Sequence, residues 1–441
     1  MLFDQENPYR GGLPQSLKLA PDDFSSCVSP ENLDAVEYEA EWSFFVYMAA
    51  DCDLAECMFD NLLAMKKIGS NRDVHICVFF HGPLLTDTFF ARLNRESHVE
   101  NDFIFRFVNA YSNKPETLKQ ALVNNMALYP ARKRMVVLSG HGLGWRGALR
   151  DDATWKRYQH SGKIGYPSVN IADDIALLEN DRRKVMAQIS GRINPNASFK
   201  GSVFDILAFD ACDMGNIETQ THFFDMAKLL VVSEVKEYGI GYPYEAILRK
   251  ITASPAISPQ EIASYLVEAT GVSSRAVYGE NPPVPITQIV VESSRFPDLL
   301  RYFNVFAREL TGYLNNSGGA LITRCINQTY SYDSVHRDLK GLILNLLDEN
   351  CLPEPLRSAA NSLVNLFGQS GGLILAQDVP GGRYLPNGLS VYLPPPEKFI
   401  QSYKEIAVAD QGLQSWISFL SAYYKYMLAG NPEKNPVTMS A

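Results

Sequence analysis

The sequence predicts an α/β protein: a mainly parallel sheet flanked by helices, with an additional α/β part towards the C-terminus. Three observations carry this. Five strand-length runs, at 42–50, 73–81, 134–142, 204–212 and 228–234, are largely apolar rather than alternating, as in strands buried on both faces. Segments with helical spacing of apolar residues separate most of them, which is the βα alternation of a parallel sheet. The 441 residues are 46% hydrophobic and 20% charged, enough to build a substantial core.

Residues 1–41 are polar and turn-rich (NPYRGG, PDD, SPEN) and read as an N-terminal extension. The first strand, WSFFVYMAA, ends at Asp51-Cys52-Asp53, a turn-and-cap signal before a helix that carries Leu54, Met58, Leu62 and Met65. The strands DVHICVFFH and TFFARLN follow, then a helix near ETLKQALVNNMALY and the run RMVVLSGHG, a strand ending in a small-residue turn. A polar stretch at about 150–170 and a helical segment lead to the strand FDILAFDAC, a helix from about Asn216, and the strand KLLVVSE. Beyond 285 come the strand PITQIVVES, a helix over 297–314, helices within 336–367, the strands GLILAQ and GLSVYLP, and an amphipathic helix over 412–428. The domains expected are therefore 42–290 as the catalytic unit, 291–429 as a C-terminal domain packed on it, and 430–441 as a disordered tail.

Two strands end in residues suited to nucleophilic catalysis, Ser139-Gly140-His141-Gly142 and Asp210-Ala211-Cys212-Asp213. In parallel sheets reactive groups collect beyond the C-terminal strand ends. A thiol attacks as thiolate and needs a base within reach, which a histidine on a neighbouring strand end supplies. The N–H groups of Gly142 and Cys212 are candidates for an oxyanion hole. His141 and Cys212 lie 71 residues apart, room for a crossover helix and a surface loop. The loop, about 150–168, carries Arg150, Lys156, Arg157 and Lys163 and is the expected processing site.

WSFFVYMAADCDL, SGHGLGWRG, FDILAFDACDMGNIE, SEVKEYGIGYPYEAIL and NGLSVYLP, in this order from about 42 to 425, resemble the motifs of the clostripain family of cysteine peptidases. The resemblance implies a caspase-like fold and peptide hydrolysis by a dyad of His141 and Cys212, with a polypeptide as substrate. It implies no required cofactor and no fixed metal, though some relatives need Ca²⁺, and it admits activation by internal cleavage or by a regulatory protein partner. The family places an acid between two glycines to bind a basic P1 side chain. Here that stretch is Gly239-Ile240-Gly241. Its second acid, Asp210, is present, so Asp210 and Ile240 are the expected substrate-binding residues, with water or Glu237, three residues before Ile240, able to recover part of the missing charge; Arg or Lys is the expected P1 and an apolar or small residue the alternative. The caspase signature of Gln before Ala-Cys is not met.

Other readings are weaker. His81-Gly82 lacks the Leu-Gly-Trp continuation of His141-Gly142. Gly368-Gln369-Ser370-Gly371-Gly372 has a helix before it and a strand after it, the reverse of a serine-hydrolase elbow, and no histidine follows His336. Cys52 and Cys57 have no metal-ligand companions at finger-like spacing. Asp51-Cys52-Asp53 lacks the Gly and Glu of a calcium loop, so capping is its expected job. The net charge of −9, without a Lys/Arg tract, argues against nucleic-acid binding. No run reaches the ~20 apolar residues of a membrane span. Seven scattered cysteines and an N-terminus without a leader pattern led to a cytoplasmic expectation. A catalytically silent, caspase-like regulatory or partner-binding subunit is the alternative function, against which the intact His–Cys pair speaks.

Overall fold

The apolar run of the first strand packs on both its faces. In the computed structural model, which describes residues 36, 38–83, 88–106, 112, 115–149, 203–368, 372–404 and 412–429, β1 (Ala40–Ala49) sends Trp42, Phe44, Val46 and Met48 into one core and Phe45, Tyr47 and Ala49 into another. This is the two-residue period of a strand with both faces covered. The strands that follow are β2 (Val74–His81), β3 (Thr88–Arg92), β4 (Phe103–Arg106), β5 (Ala131–Ser139), β6 (Phe204–Asp210), β7 (Ala227–Ser233), β8 (Gln288–Glu292), β9 (His336–Asp338), β10 (Ile374–Asp378) and β11 (Ser390–Tyr392).

Nine of them form one mixed sheet in the order β10-β8-β7-β6-β5-β1-β2-β3-β4. The five central strands, β7, β6, β5, β1 and β2, are parallel, and the pairs towards both edges are antiparallel. The expected boundary at 290 falls inside β8, and β10 extends the same sheet, so the C-terminal residues continue the catalytic layer. β9 and β11 pair separately.

The helices are α1 (Ala55–Lys66), α2 (Pro115–Leu128), α3 (Ile217–Phe223), α4 (Tyr244–Ala253), α5 (Pro259–Tyr278), α6 (Phe296–Tyr313), α7 (Gly319–Gln328), α8 (Leu339–Leu347), α9 (Glu354–Leu366) and α10 (Gln414–Ala429). α1, α4 and α5 cover one face, through residues such as Met58, Leu62, Ile247 and Leu266. α2 and the C-terminal helices cover the other, through Leu122, Phe303, Leu342, Leu363 and Phe419. α5 starts with a capping box, Ser258 and Glu261, and a proline in its first turn.

The stretch 336–367, expected to be helical, opens with β9. Asp338 closes that strand and caps α8 by accepting from Gly341 N. The cap expected of Asp51-Cys52-Asp53 is also revised. The N-cap of α1 is Leu54, which makes no side-chain cap, and Asp53 is used elsewhere. The expected N-terminal extension up to residue 35, the processing segment 150–168 and the tail 430–441 lie outside the described residues.

Candidate active site

Sheet register brings the two motifs together. β5 and β6 are parallel neighbours with Ser139 opposite Asp210, so His141 and Cys212, each two residues further on, leave the sheet side by side. Gly140 N donates to Asp210 O at 3.2 Å and ties the two exits. On the other side of β5, Met48 of β1 stands opposite Ser139, so the turn after β1 also borders His141.

That turn supplies Asp53. Its Oδ1 lies 2.5 Å from His141 Nε2, on an imidazole that is 21% exposed. With a proton on Nε2 donated to this carboxylate, Nδ1 is the free base nitrogen. The Cys212 thiol is half-buried, and its recorded contacts are with the Glu237 backbone, accepting from the N–H at 3.3 Å and facing the C=O at 3.9 Å. Burial pushes this thiol up to about 12; the Glu237 and Asp213 charges add to the effect, and the Glu237 N–H and Lys236 oppose it. The thiol is therefore neutral until a base takes its proton.

Gly142 packs against the Cys212 main chain so closely that a Cβ there would stand 1.9 Å from Cys212 O and 2.9 Å from Cys212 N. Around it, Leu149 N donates to His141 O and Leu143 N to Gly147 O, each at 2.7 Å. These bonds bracket the Gly142–Ala148 bridge and leave the Gly142 N–H outside the ladder. After Cys212, Asp213 takes a left-handed φ of 61°, a conformation Asp tolerates better than most residues.

Two family-motif residues support these loops from behind. Trp145 packs edge-on against Tyr392 and Tyr403, and Glu218, fully buried, accepts from Tyr392 N and Tyr403 OH, both at 2.8 Å. Ser390 N donates to Gly215 O at 2.8 Å. Residues 390–403 thus brace both the His loop and the Cys loop.

Asp210 is buried beneath the site. Its Oδ2 accepts from Tyr244 OH at 2.7 Å and from Ser139 Oγ at 3.2 Å. Burial raises its pKa against these hydrogen bonds. Burial also raises Glu237 well above the carboxylate range, helped by the charge of Asp210, and Gln288 Nε2 donates to Glu237 Oε1 at 2.5 Å. The charge of Asp210, second to burial among the causes of the rise at Glu237, makes the two acids near neighbours. Gly241, at φ 65°, closes over Asp210, where a Cβ would come within 2.9 Å of Oδ2. Ile240 is half-buried and lines an open depression of about 610 Å³ with Asn61, Tyr242 and Tyr244. Asp210, His141 and Cys212 do not line that depression.

The structure thus gathers His141, Gly142, Cys212 and Asp210, and sets Ile240 apart from the thiol. Tyr244 and Gln288 carry no signal in the sequence reading, Ser139 enters it only within the His motif, and Asp53 only as a capping residue. The register signal for Asp53 was the order β1-β5-β6, which only strand pairing reveals. His81 ends β2, buried, with Nδ1 2.9 Å from Ser112 Oγ. Cys52 is buried and Cys57 exposed.

A caspase-like mixed sheet with a histidine and a cysteine at adjacent parallel strand ends defines a cysteine-peptidase architecture. The model of the clostripain family matches residues 46–349, and the chain belongs to that family and is a cysteine-type endopeptidase, a hydrolase acting on polypeptides. Its fold is similar to that of a secreted C11 cysteine protease from Bacteroides thetaiotaomicron in complex with an irreversible peptide inhibitor. That match has a TM-score of 0.55 and 18% identity, over 84% of this chain and 99% of that one. An inactive zymogen C11 protease from Parabacteroides distasonis matches with a TM-score of 0.55 and 17% identity, over 87% of this chain and 99% of that one. No curated protein matches the chain. The cytoplasmic expectation does not stand, because the Bacteroides relative is described as secreted. Scattered cysteines report only that no disulfide framework is encoded, which is a weak guide to compartment. Among the described residues, no helix is long and apolar enough to cross a membrane.

Proposed function

We propose that the peptidase works through Cys212 as nucleophile and His141 as general base, with Asp53 as the positioning residue that orients the imidazole. The carrying observation is the β5–β6 register, which sets the two residues side by side. In this reading Nδ1 of His141 takes the Cys212 proton as sulfur attacks the peptide carbonyl. The oxyanion is held by the N–H groups of Gly142 and Cys212. His141 then protonates the leaving amine, and water hydrolyses the thioester. A neutral resting thiol fits proton transfer concerted with attack rather than a standing thiolate. The test is a fluorogenic-peptide assay. Cys212→Ala and His141→Ala should abolish turnover with unchanged melting curves, and full activity in Cys212→Ala would refute the assignment.

For P1 we infer Arg or Lys, on the support of the Asp210–Glu237 pair beside the nucleophile. Glu237, three residues before Ile240, would supply the second acid that Gly239-Ile240-Gly241 lacks. Burial and the Asp210 charge raise Glu237, and a guanidinium or ammonium entering between the two acids would favour their ionised forms and gain a charged partner. The family acid's position, now Ile240, lies on the rim, which leaves recognition to the deeper pair.

Activation by cleavage between the two catalytic loops belongs to the same reading. The Parabacteroides relative is described as an inactive zymogen, which supports it. Wild type should yield two fragments where Cys212→Ala stays intact; identical patterns would refute self-processing. As to calcium, the one cluster of three metal-ligating side chains among the described residues is Cys52, Asp53 and His141. Calcium takes six to eight oxygens, and this set does not fit it.

A further inference from the structure

The same cluster fits a different ion. A Cys52 sulfur, an Asp53 carboxylate oxygen and a His141 ring nitrogen all lie within 4.8 Å of one another. Thiolate, imidazole and carboxylate are the donors that Zn²⁺ combines, at bond lengths of about 2.0–2.3 Å in a tetrahedron with an open fourth position. Bonds of that length set tetrahedral ligand atoms roughly 3.5 Å apart, so Asp53 Oδ1, now 2.5 Å from His141 Nε2, draws back by about an ångström, within rotamer reach for exposed Asp53.

The backbone prepares two of the three donors. Cys52 and Asp53 are consecutive on the β1–α1 turn, which Ala55 N closes by donating to Cys52 O at 3.2 Å. The Cys52 sulfur is buried and rests 3.5 Å from Ala49 O, so its position is set by the end of β1. His141 arrives from the neighbouring strand β5. The Asp53 side chain is 71% exposed, which gives the ion a route in and water a place in the coordination sphere.

We propose that Cys52, Asp53 and His141 form an inhibitory site for a Zn²⁺-class transition-metal ion, which withdraws His141 and Asp53 from catalysis when bound. The inhibitory part rests on His141 being the base; the binding part does not. Binding exchanges the Cys52 S–H for an S–metal bond and releases one proton to solvent, with no change of oxidation state. Cys212 is not a ligand, so the nucleophile survives and removing the metal restores activity. This gives Cys52, which takes no part in the proposed chemistry, a reversible control over the site.

The experiment uses the full chain and Co²⁺ as a spectroscopic stand-in for Zn²⁺. Wild type and Cys212→Ala should each bind one equivalent, with thiolate-to-cobalt charge transfer and tetrahedral visible bands. Cys52→Ser and His141→Asn should lose the charge-transfer band or the stoichiometry. In the peptide assay, Cys52→Ser should turn over as wild type does without metal. Its half-inhibitory Zn²⁺ concentration should rise by at least about tenfold, since even outer partners of a metal site cost 10–100-fold. Cys52→Ala repeats the test where serine disturbs the turn. A charge-transfer band that persists in both Cys52 variants, or that vanishes in Cys212→Ala, would overturn the proposal. If the band behaves as expected and Zn²⁺ leaves turnover unaffected, the site stands and its inhibitory role falls.

Discussion

Gly142→Ala is the sharpest perturbation of this site. The glycine has no unusual φ, so alanine meets no backbone strain and the whole effect comes from space. Its Cβ would stand 1.9 Å from Cys212 O and 2.9 Å from Cys212 C and N, where real Cβ atoms do not come within 3.0 Å. The obstacle is main chain, so no side chain can rotate away. One loop must retreat by about 1 Å or more, and displacements of about 1 Å at reacting groups cost roughly a hundredfold. If the Gly142 N–H also leaves the oxyanion, the loss approaches that of a deleted oxyanion donor, about 10²–10³ in kcat, or ~3–4 kcal/mol. The assay is kcat/KM on a fluorogenic peptide, beside thermal melting and the rate of Cys212 alkylation. Gly239→Ala is the control, because its Cβ would meet only Leu54 Cδ2 at an ordinary 3.7 Å, and it should retain full activity. Wild-type kcat/KM in Gly142→Ala would show that the His loop and Cys loop do not meet as described.

His81→Ala should leave kcat/KM intact while lowering stability by about 1–2 kcal/mol, through loss of the buried contact with Ser112, as read by denaturant unfolding. Asp210→Asn should reduce the preference for Arg over Leu at P1 by tenfold or more, whereas Ile240→Asp should alter it little; the reverse ranking would move the pocket to the rim. Burial raises Asp210 and Glu237, so the pair ionises above the ordinary carboxylate range, and KM for a P1-Arg peptide should fall as pH rises through that ionisation while that for P1-Leu does not. Where the exit of β7 meets the C-terminal part, burial raises both Glu234 and Asp338, the latter to about 6. The native state then binds more protons than the unfolded chain above about pH 4, so stability falls as pH rises through that window. Glu234→Gln should flatten the decline in Tm between about pH 4 and pH 6, the window of its neighbour Asp338, and an unchanged slope would remove this pair from the account.

Long apolar runs made the central strands legible, because a strand buried on both faces leaves little else for its sequence to be. The two catalytic candidates were legible for a related reason, since each ends such a run in a short motif of small residues. α4, α5 and α7 were not foreseen, although α5 carries a capping box and all three are amphipathic. Residues 336–338 were read as helix because a three-residue strand has too little periodicity to announce itself. Asp53 was read as a helix cap, since within its own segment an acid before an apolar helix has no other use. Its pairing with His141 depends on β1 lying next to β5, 88 residues away in sequence. The same holds for Glu237, which meets Asp210 only because β7 follows β6 in the sheet. By itself, then, the sequence determined the central strands, the nucleophile and base candidates and the family, all of which are written in local runs. Only the tertiary structure decided which carboxylates stand beside them, because lateral strand order and register are set by the packing of the whole sheet and by no single segment.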